Sequence, residues 1–372
     1  MAPVPFGLKC PYAPPKQPYR LAKARTLPYP RHMKLVRFLP LAAWLFFLQS
    51  AANAAPISTT HWRGVHLWLD NDVSAQALVH TLPALAAAGA NVVVLEVNYS
   101  FEFQAHPELR NRRLVTRATA HALAAAARTN GLRLIPEFNC LGHQSFGRRP
   151  APLFNAHPDY NETPALSLTN KDFYCLSWCP RTPGLNEIIF SLIDEMAEAF
   201  EADAVHVGMD EVYLIGEDAC PRCRGAKPAE LFAAQVNALH EHIVGAKKLQ
   251  MLMWADRVIG VKYQGTSRFD NAHNDLSAAM DLIPKDIVMC DWHYEWKTNY
   301  PSVPFLAKNG FQVWPAGFMP LKASLAFSDF AQTQGINVLG FLATTWNETS
   351  ITNSPEWPPI KEILPRWRDG KK

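Results

Sequence analysis

The chain has 372 residues, 48% of them hydrophobic and 11% aromatic, enough to bury one large core or two ordinary ones. Its formal charge is +3, yet the first 54 residues hold eight Lys or Arg and no acid, so removing those eight leaves −5 for the remainder. A net-acidic body argues against nucleic acid as a partner.

Residues 1–32 are Pro-rich, acid-free and without hydrophobic period, which reads as a disordered leader or an untranslated one. From Met33 the text becomes a secretory signal: Lys34 and Arg37 form a charged start, Phe38 to Leu48 an apolar run, and Ala52-Asn53-Ala54 a cleavage pattern. The run is too short for a comfortable permanent anchor. The expectation is translation from Met33, a mature chain from Ala55, export to the periplasm or the extracellular space, and no stable membrane anchor after cleavage. Six cysteines follow the cleavage site, and an exported protein can oxidise them.

Beyond Trp62 short apolar runs alternate with Ala-rich amphipathic segments. Strands are predicted at RGVHLWL from Arg63, NVVVLEV from Asn91, LRLIPEF from Leu132, AVHVGMDE from Ala204, LQMLMWAD from Leu249, DIVMCDWHY from Asp286, FQVWPAGF from Phe311 and NVLGFLATTW from Asn337. Helices are predicted at Ser74–Ala88, Thr119–Asn130, Asn186–Phe200, Ala229–Lys247 and Leu321–Gln334, several of them stopping at Gly or Asn. Strands apolar on successive positions and separated by helices imply a parallel sheet covered on its outer face. Eight such units fit a single-domain (β/α)8 TIM barrel over residues 55–372, with an open doubly wound sheet as the alternative.

A barrel places reactive residues where its strands end. The ends read Glu96 and Asn98, Asn139 and His143, Asp210 and Glu211, Trp254 and Asp256, Trp292 and Tyr294, Trp314, and Trp346 with Glu348. An Asp-Glu pair alone is a weak signal, and Asp194-Glu195, inside a helical pattern, reads as a solvated face. Asp210-Glu211 differs because it follows an apolar strand directly, at the edge of a core where unpaired charge is costly. Neighbours in a regular strand point to opposite faces, so both acids reach one pocket only if the chain bends, which Gly208 permits. Two carboxylates held close do not easily both carry charge; the pair supplies a proton donor beside an anion, the requirement for breaking a glycosidic bond. Flat indole faces at the same rim suit sugar rings.

With these residues in view, the sequence resembles the family 20 glycoside hydrolases, the β-N-acetylhexosaminidase family. HVGMDEV resembles the family's strand-four signature, LIPEFNCLGHQ its strand three ending in Gly-His, RGVHLWLD its first strand with a sugar-binding Arg, and TTWNE its last strand. The resemblance implies a secreted, exo-acting enzyme on oligosaccharides or glycoconjugates ending in β-linked GlcNAc or GalNAc, with no cofactor required for catalysis. Glu211 would be the general acid and later the base, and Asp210 would steer the substrate's own 2-acetamido group, which attacks the anomeric carbon to give an oxazolinium with net retention. That substrate-assisted route is an exception to the two-carboxylate scheme. Arg63 and Glu348 would hold sugar hydroxyls, Trp254, Trp292 and Trp346 would enclose the ring and acetamide, and Tyr294 would hydrogen-bond the acetamide. His143 would support the acid or be a hydrogen-bonded structural histidine. Three departures stand out: Met209 replaces a Gly of the family pattern, Asn139 stands where an acid is usual, and the small α/β domain that commonly precedes the barrel has no counterpart between Ala55 and Arg63.

The spacing of Cys175 with Cys179, and of Cys220 with Cys223, suits either a structural tetrahedral zinc site or disulfides. Two functional alternatives remain: a carbohydrate-binding barrel that has lost catalysis, and a retaining glycosidase whose nucleophile is a conventional carboxylate such as Glu96 or Asp256.

Overall fold

The computed structural model describes residues 61–146, 149–166, 174–264, 272, 276–335 and 337–369. The leader and signal read in the first 54 residues lie outside them.

Eight parallel strands close into a barrel: β1 (Trp62–Trp68), β2 (Val92–Glu96), β3 (Arg133–Cys140), β4 (Ala204–Gly208), β5 (Gln250–Trp254), β6 (Val288–Trp292), β7 (Gln312–Gly317) and β8 (Gly340–Thr344). Each pairs with its neighbour in sequence, and the register from Trp62 against Gly340 to His66 against Thr344 joins β1 to β8. That closure removes the open edges of a doubly wound sheet, so the barrel reading holds. The helices are α1 (Asp72–Ala87), α2 (Arg117–Thr129), α3 (Leu185–Ala199), α4 (Pro228–His240), α5 (Ser302–Lys308), α6 (Leu321–Gln332) and α7 (Pro358–Asp369), with shorter helical turns between them. The sequence reading omits α5 and α7, whose texts carry Pro304 and Pro365. Between β5 and β6 the described residues form only short turns, at Asp256–Val258, Val261–Gln264 and Leu276–Leu282.

Strand periodicity divides the core in two. Val65, Leu67, Val93, Leu95, Val205 and Val207 face outward onto the helices, while Val92, Val94, Ile135, Leu252, Val288 and Leu342 fill the barrel. The floor is tight: Trp314 packs edge-on against Trp62 at 5.2 Å, and a Cβ on Gly64 would lie 2.1 Å from the Trp314 ring. This corrects the expected position of Trp314. It is the third residue of β7, its indole N–H donates to Trp62 O at the start of β1, and so it lies at the end opposite the rim.

Candidate active site

The wall of β4 is wholly buried from Ala204 to Gly208, and then the backbone turns left-handed. Gly208 has φ +65°, Met209 +73° and Glu211 +48°. The first of these demands glycine twice over, since a Cβ there would also lie 2.4 Å from Asn139 Oδ1. For the two L-residues the left-handed conformation costs about 1–2 kcal/mol each. Beside them the β3–β4 ladder slips, pairing Glu137 with His206 but Cys140 with Gly208. His143 is itself at φ +54°. The strain of three segments is thus concentrated in one place, and the result is a convergence that regular strands forbid.

Both acids meet one imidazole. His143 Nε2 lies 3.1 Å from Asp210 Oδ2 and 3.3 Å from Glu211 Oε2. Burial alone would lower the His143 pKa, but attraction and hydrogen bonds from Asp210 and Glu211 outweigh it and raise it well above the ordinary value. Asp210 Oδ1 is buried with no hydrogen-bond partner among the described residues. Glu211 is held from several sides: its N–H donates to Asp256 Oδ2 at 3.0 Å, the Tyr213 hydroxyl donates to its Oε1 at 3.4 Å, and the Cys175 thiol approaches its carbonyl at 3.6 Å. Asp256 accepts from Arg257 Nε as well, at 2.5 Å, and Arg257 lies over the Tyr213 ring at 4.9 Å. Burial pushes the Asp256 carboxyl up to about 6 despite that guanidinium.

Beneath the acid pair is a polar layer that the sequence reading did not assemble. Glu137, fully buried, has His66 Nε2 at 3.0 Å, His206 Nδ1 at 3.1 Å and the Trp254 indole N–H donating at 2.8 Å. Burial pushes Glu137 upward, but attraction to His206 and hydrogen bonds from both imidazoles bring it below the usual carboxylate range. Glu96 behaves oppositely, pushed up to about 7 by burial and then by the charge of Glu137. Its Oε1 accepts from Asn98 and Asn139, each at 2.9 Å. Asn139, where the resemblance leads one to expect an acid, is therefore a donor to an acid on the neighbouring strand. The signal for this layer was parity: His66 shares the inward face of β1 with Gly64, and Glu137 shares that of β3 with Ile135.

The remaining candidates separate. Trp254, Trp346, Tyr294 and Trp292 form a connected aromatic wall: Trp254 and Trp346 lie 5.6 Å apart, the Trp346 indole donates to the Tyr294 hydroxyl at 2.7 Å, and Tyr294 leans on Trp292 at 5.0 Å. Trp254 is buried, so it forms the base of this wall rather than its lip. Glu348 is exposed in the turn after β8, at the same end. Arg63 is a correction. It is the second residue of β1, on the outward-facing parity, and its guanidinium donates to Gly89 O and His61 O at the opposite end of the barrel from the acids. No sugar at the rim meets it. The cysteine set also changes: Cys175 lies against Glu211, and Glu162 takes its place beside Cys179, Cys220 and Cys223. None of these thiols is disulfide-bonded; Cys179 Sγ lies 3.2 Å from Cys223 Sγ and 3.5 Å from Cys220 Sγ.

Residues 58–366 match the model of glycosyl hydrolase family 20, catalytic domain. The chain belongs to glycosyl hydrolase family 20. Within the family it is 22% identical over 317 residues to a beta-hexosaminidase of Vibrio furnissii, covering 82% of this chain and 46% of that protein. It is 25% identical over 202 residues to the beta-hexosaminidase subunit beta of Felis catus, covering 49% of this chain and 36% of that one. The chain therefore spans about half the length, or less, of these curated relatives. Among family 20 structures, the Flavobacterium johnsoniae chitobiase aligns with a TM-score of 0.59 at 20% identity, over 82% of this chain and 48% of that one. The exo beta-N-acetylglucosaminidase of Vibrio harveyi in complex with N-acetylglucosamine gives 0.58 at 15%, over 82% and 54%. At such identities the structural likeness speaks for the barrel alone.

Proposed function

We propose that this family 20 barrel is an exported exo-β-N-acetylhexosaminidase that hydrolyses terminal β-linked GlcNAc or GalNAc by a retaining, substrate-assisted mechanism. The observation that carries the reading is the pair of adjacent acids gathered on one imidazole, with Asp210 Oδ1 left unpaired. A free, buried carboxylate oxygen suits the N–H of a 2-acetamido group, which it would orient and whose developing positive charge it would stabilise. The acetamide oxygen then attacks the anomeric carbon while Glu211 gives its proton to the leaving oxygen. The C–O bond breaks and an oxazolinium forms. In the second half Glu211 takes a proton from water, and that water attacks the same carbon, reopening the ring with overall retention. His143, within 3.1 Å of Asp210 and 3.3 Å of Glu211, acts as the positioning group that gathers both side chains at one point. Trp254, Trp292 and Trp346 enclose the ring, Tyr294 offers its hydroxyl to the acetamide, and Glu348 is free to take a sugar hydroxyl.

A conventional nucleophile fits less well. Asp256 Oδ2 is engaged by the Glu211 amide and by Arg257, so that Asp256, although its buried Oδ1 has no partner among the described residues, is tied to the backbone of the acid itself, and Glu96 Oε1 accepts from two amide side chains beneath the site. Aryl β-GlcNAc and the matching β-glucoside discriminate the readings. Cleavage of the first alone is expected; equal cleavage of the glucoside, which lacks the acetamide, sinks substrate assistance, and inactivity on both returns the chain to a binding role.

A further inference from the structure

Away from the acid pair, three thiols and a carboxylate meet under the loops that leave β3 and β4. Glu162, Cys179, Cys220 and Cys223 are all buried, and one donor atom from each lies within 4.8 Å of the rest. Glu162 Oε1 accepts the Glu217 N–H at 3.0 Å, but its Oε2 is buried with no hydrogen-bond partner among the described residues. Cys220 and Cys223 bracket a tight turn in which the Arg222 and Cys223 amides point at the Cys220 sulfur, and the Arg181 amide points at that of Cys179. Amide N–H groups aimed at sulfur are the outer-shell bonds that orient a metal-binding thiolate.

A disulfide accounts for this cluster poorly. Any pairing of two cysteines leaves the third thiol and the orphaned carboxylate oxygen buried together, and the closest sulfurs, 3.2 Å apart, would have to close by about 1 Å. A tetrahedral ion with metal–sulfur bonds of about 2.3 Å places its sulfurs about 3.8 Å apart, so the observed gaps need to open only by about half an ångström. It also employs all four donors. Borderline-soft zinc matches a set of three thiolates and one carboxylate, and with four protein ligands no position is left open for catalysis.

We propose that Glu162, Cys179, Cys220 and Cys223 bind one structural zinc ion that clamps the loop after β3 to the loop after β4. The clamp reaches the acid pair through the chain. The Cys179 segment is laid against Tyr160 and Leu141 by backbone bonds, and it carries Tyr174, whose ring packs at 5.9 Å from His143 and 6.0 Å from Tyr213. The other loop runs from Tyr213 itself to Cys223. The metal thus fixes both aromatic walls of the mouth above Asp210 and Glu211. This last consequence rests on the hexosaminidase reading; the metal site does not.

Elemental analysis of the full chain purified under reducing conditions should find about one zinc per chain. The zinc should be lost in Cys220→Ser and kept in His143→Gln, the latter guarding against capture by the acid pair, which also gathers three donors. Should Cys220→Ser not fold, cobalt(II) exchanged into the wild-type chain should show a thiolate charge-transfer band and the visible spectrum of a tetrahedral ion. No bound zinc with free thiols, a Cys179–Cys223 disulfide in the peptide map, zinc lost in His143→Gln instead of Cys220→Ser, or a cobalt spectrum without thiolate bands would each overturn the site.

Discussion

The chain contains two Asp-Glu dipeptides, and they are put to opposite uses. Asp194-Glu195 lies in α3, and every oxygen named there has a partner: Asp194 takes His242 at 2.8 Å and Lys247 at 2.6 Å, while Glu195 accepts the Gln104 and Ala105 amides at 2.7 and 2.9 Å and Arg117 at 3.3 Å. The pair is no mere solvated face, as its helical pattern suggested; it is a brace between α3 and the loops around it. Asp210-Glu211 shares one imidazole between two carboxylates and leaves a buried oxygen unpaired. A helix gives two neighbouring acids different directions and each finds its own partner, whereas three left-handed residues in four send two neighbours to the same place. The lesson is that satisfied charge builds structure, and incompletely satisfied charge, held there by strained backbone, is available for chemistry.

Substitutions can break that contrast. Glu211→Gln should lower kcat by about 10²–10⁴-fold on substrates with poor leaving groups and much less on activated aryl glycosides, since only the former need the proton. Asp194→Asn should leave both rates within about twofold, because it acts on a surface brace; a large loss there would erase the distinction. Asp210→Asn should cost about 10²–10³-fold in kcat with both classes of leaving group, the signature of lost charge stabilisation rather than lost protonation. Glu137→Gln should reduce stability by about 3–5 kcal/mol in denaturant melts, as two buried imidazoles lose their shared anion. Glu195→Ala should cost about 1–2 kcal/mol by stranding two backbone amides, with kcat unmoved.

The pH dependence sharpens the comparison further. Folding raises the His143 pKa, so its contribution to stability is complete below its ordinary value of 6.5 and is lost as pH rises through the higher folded value. A His143→Gln variant should therefore lack that part of the alkaline decline in Tm. Glu96 is also raised, from 4.5 to about 7, so it too favours the fold at low pH and ceases to do so as pH climbs between those values. Tm measured across this window should fall less steeply in Glu96→Gln than in the wild type.

Much of this was legible in the letters. The eight strands, five of the seven helices α1–α7 and the bend at Gly208 follow from periodicity and punctuation, because burial on one or both faces leaves a repeating trace. What was lost has physical reasons. Trp314 is expected at the rim because a linear reading marks a strand but not how far along it a residue stands, and Arg63 because the resemblance matches it to a sugar-binding Arg of the first strand; both lie near a strand start. The His66–Glu137–His206 layer escaped because polar residues inside a barrel look, one at a time, like interruptions of an apolar run. Glu162 escaped because a ligand set reads most easily as cysteines alone, although the fourth member of the set proposed here is a carboxylate from earlier in the same loop. Met209 is sharper now: it holds a backbone conformation natural to glycine while its side chain is 1% exposed in the outer core, so the position trades strain for burial. Met209→Gly relieves about 1–2 kcal/mol of the first and forfeits about 2–5 kcal/mol of the second, and is expected to lower stability slightly.

The buried Glu137 layer and Trp254 beneath the acid pair, backed by the indole floor of Trp62 and Trp314, make the barrel a blind alley. Traffic through it is one-way in and the same way out, so whatever lodges deepest must depart last. For the hydrolysis proposed here the severed remainder of the glycan, nearer the mouth, leaves first. The freed sugar then lingers in the dead end and blocks the next arrival, so inhibition by the released monosaccharide should be competitive.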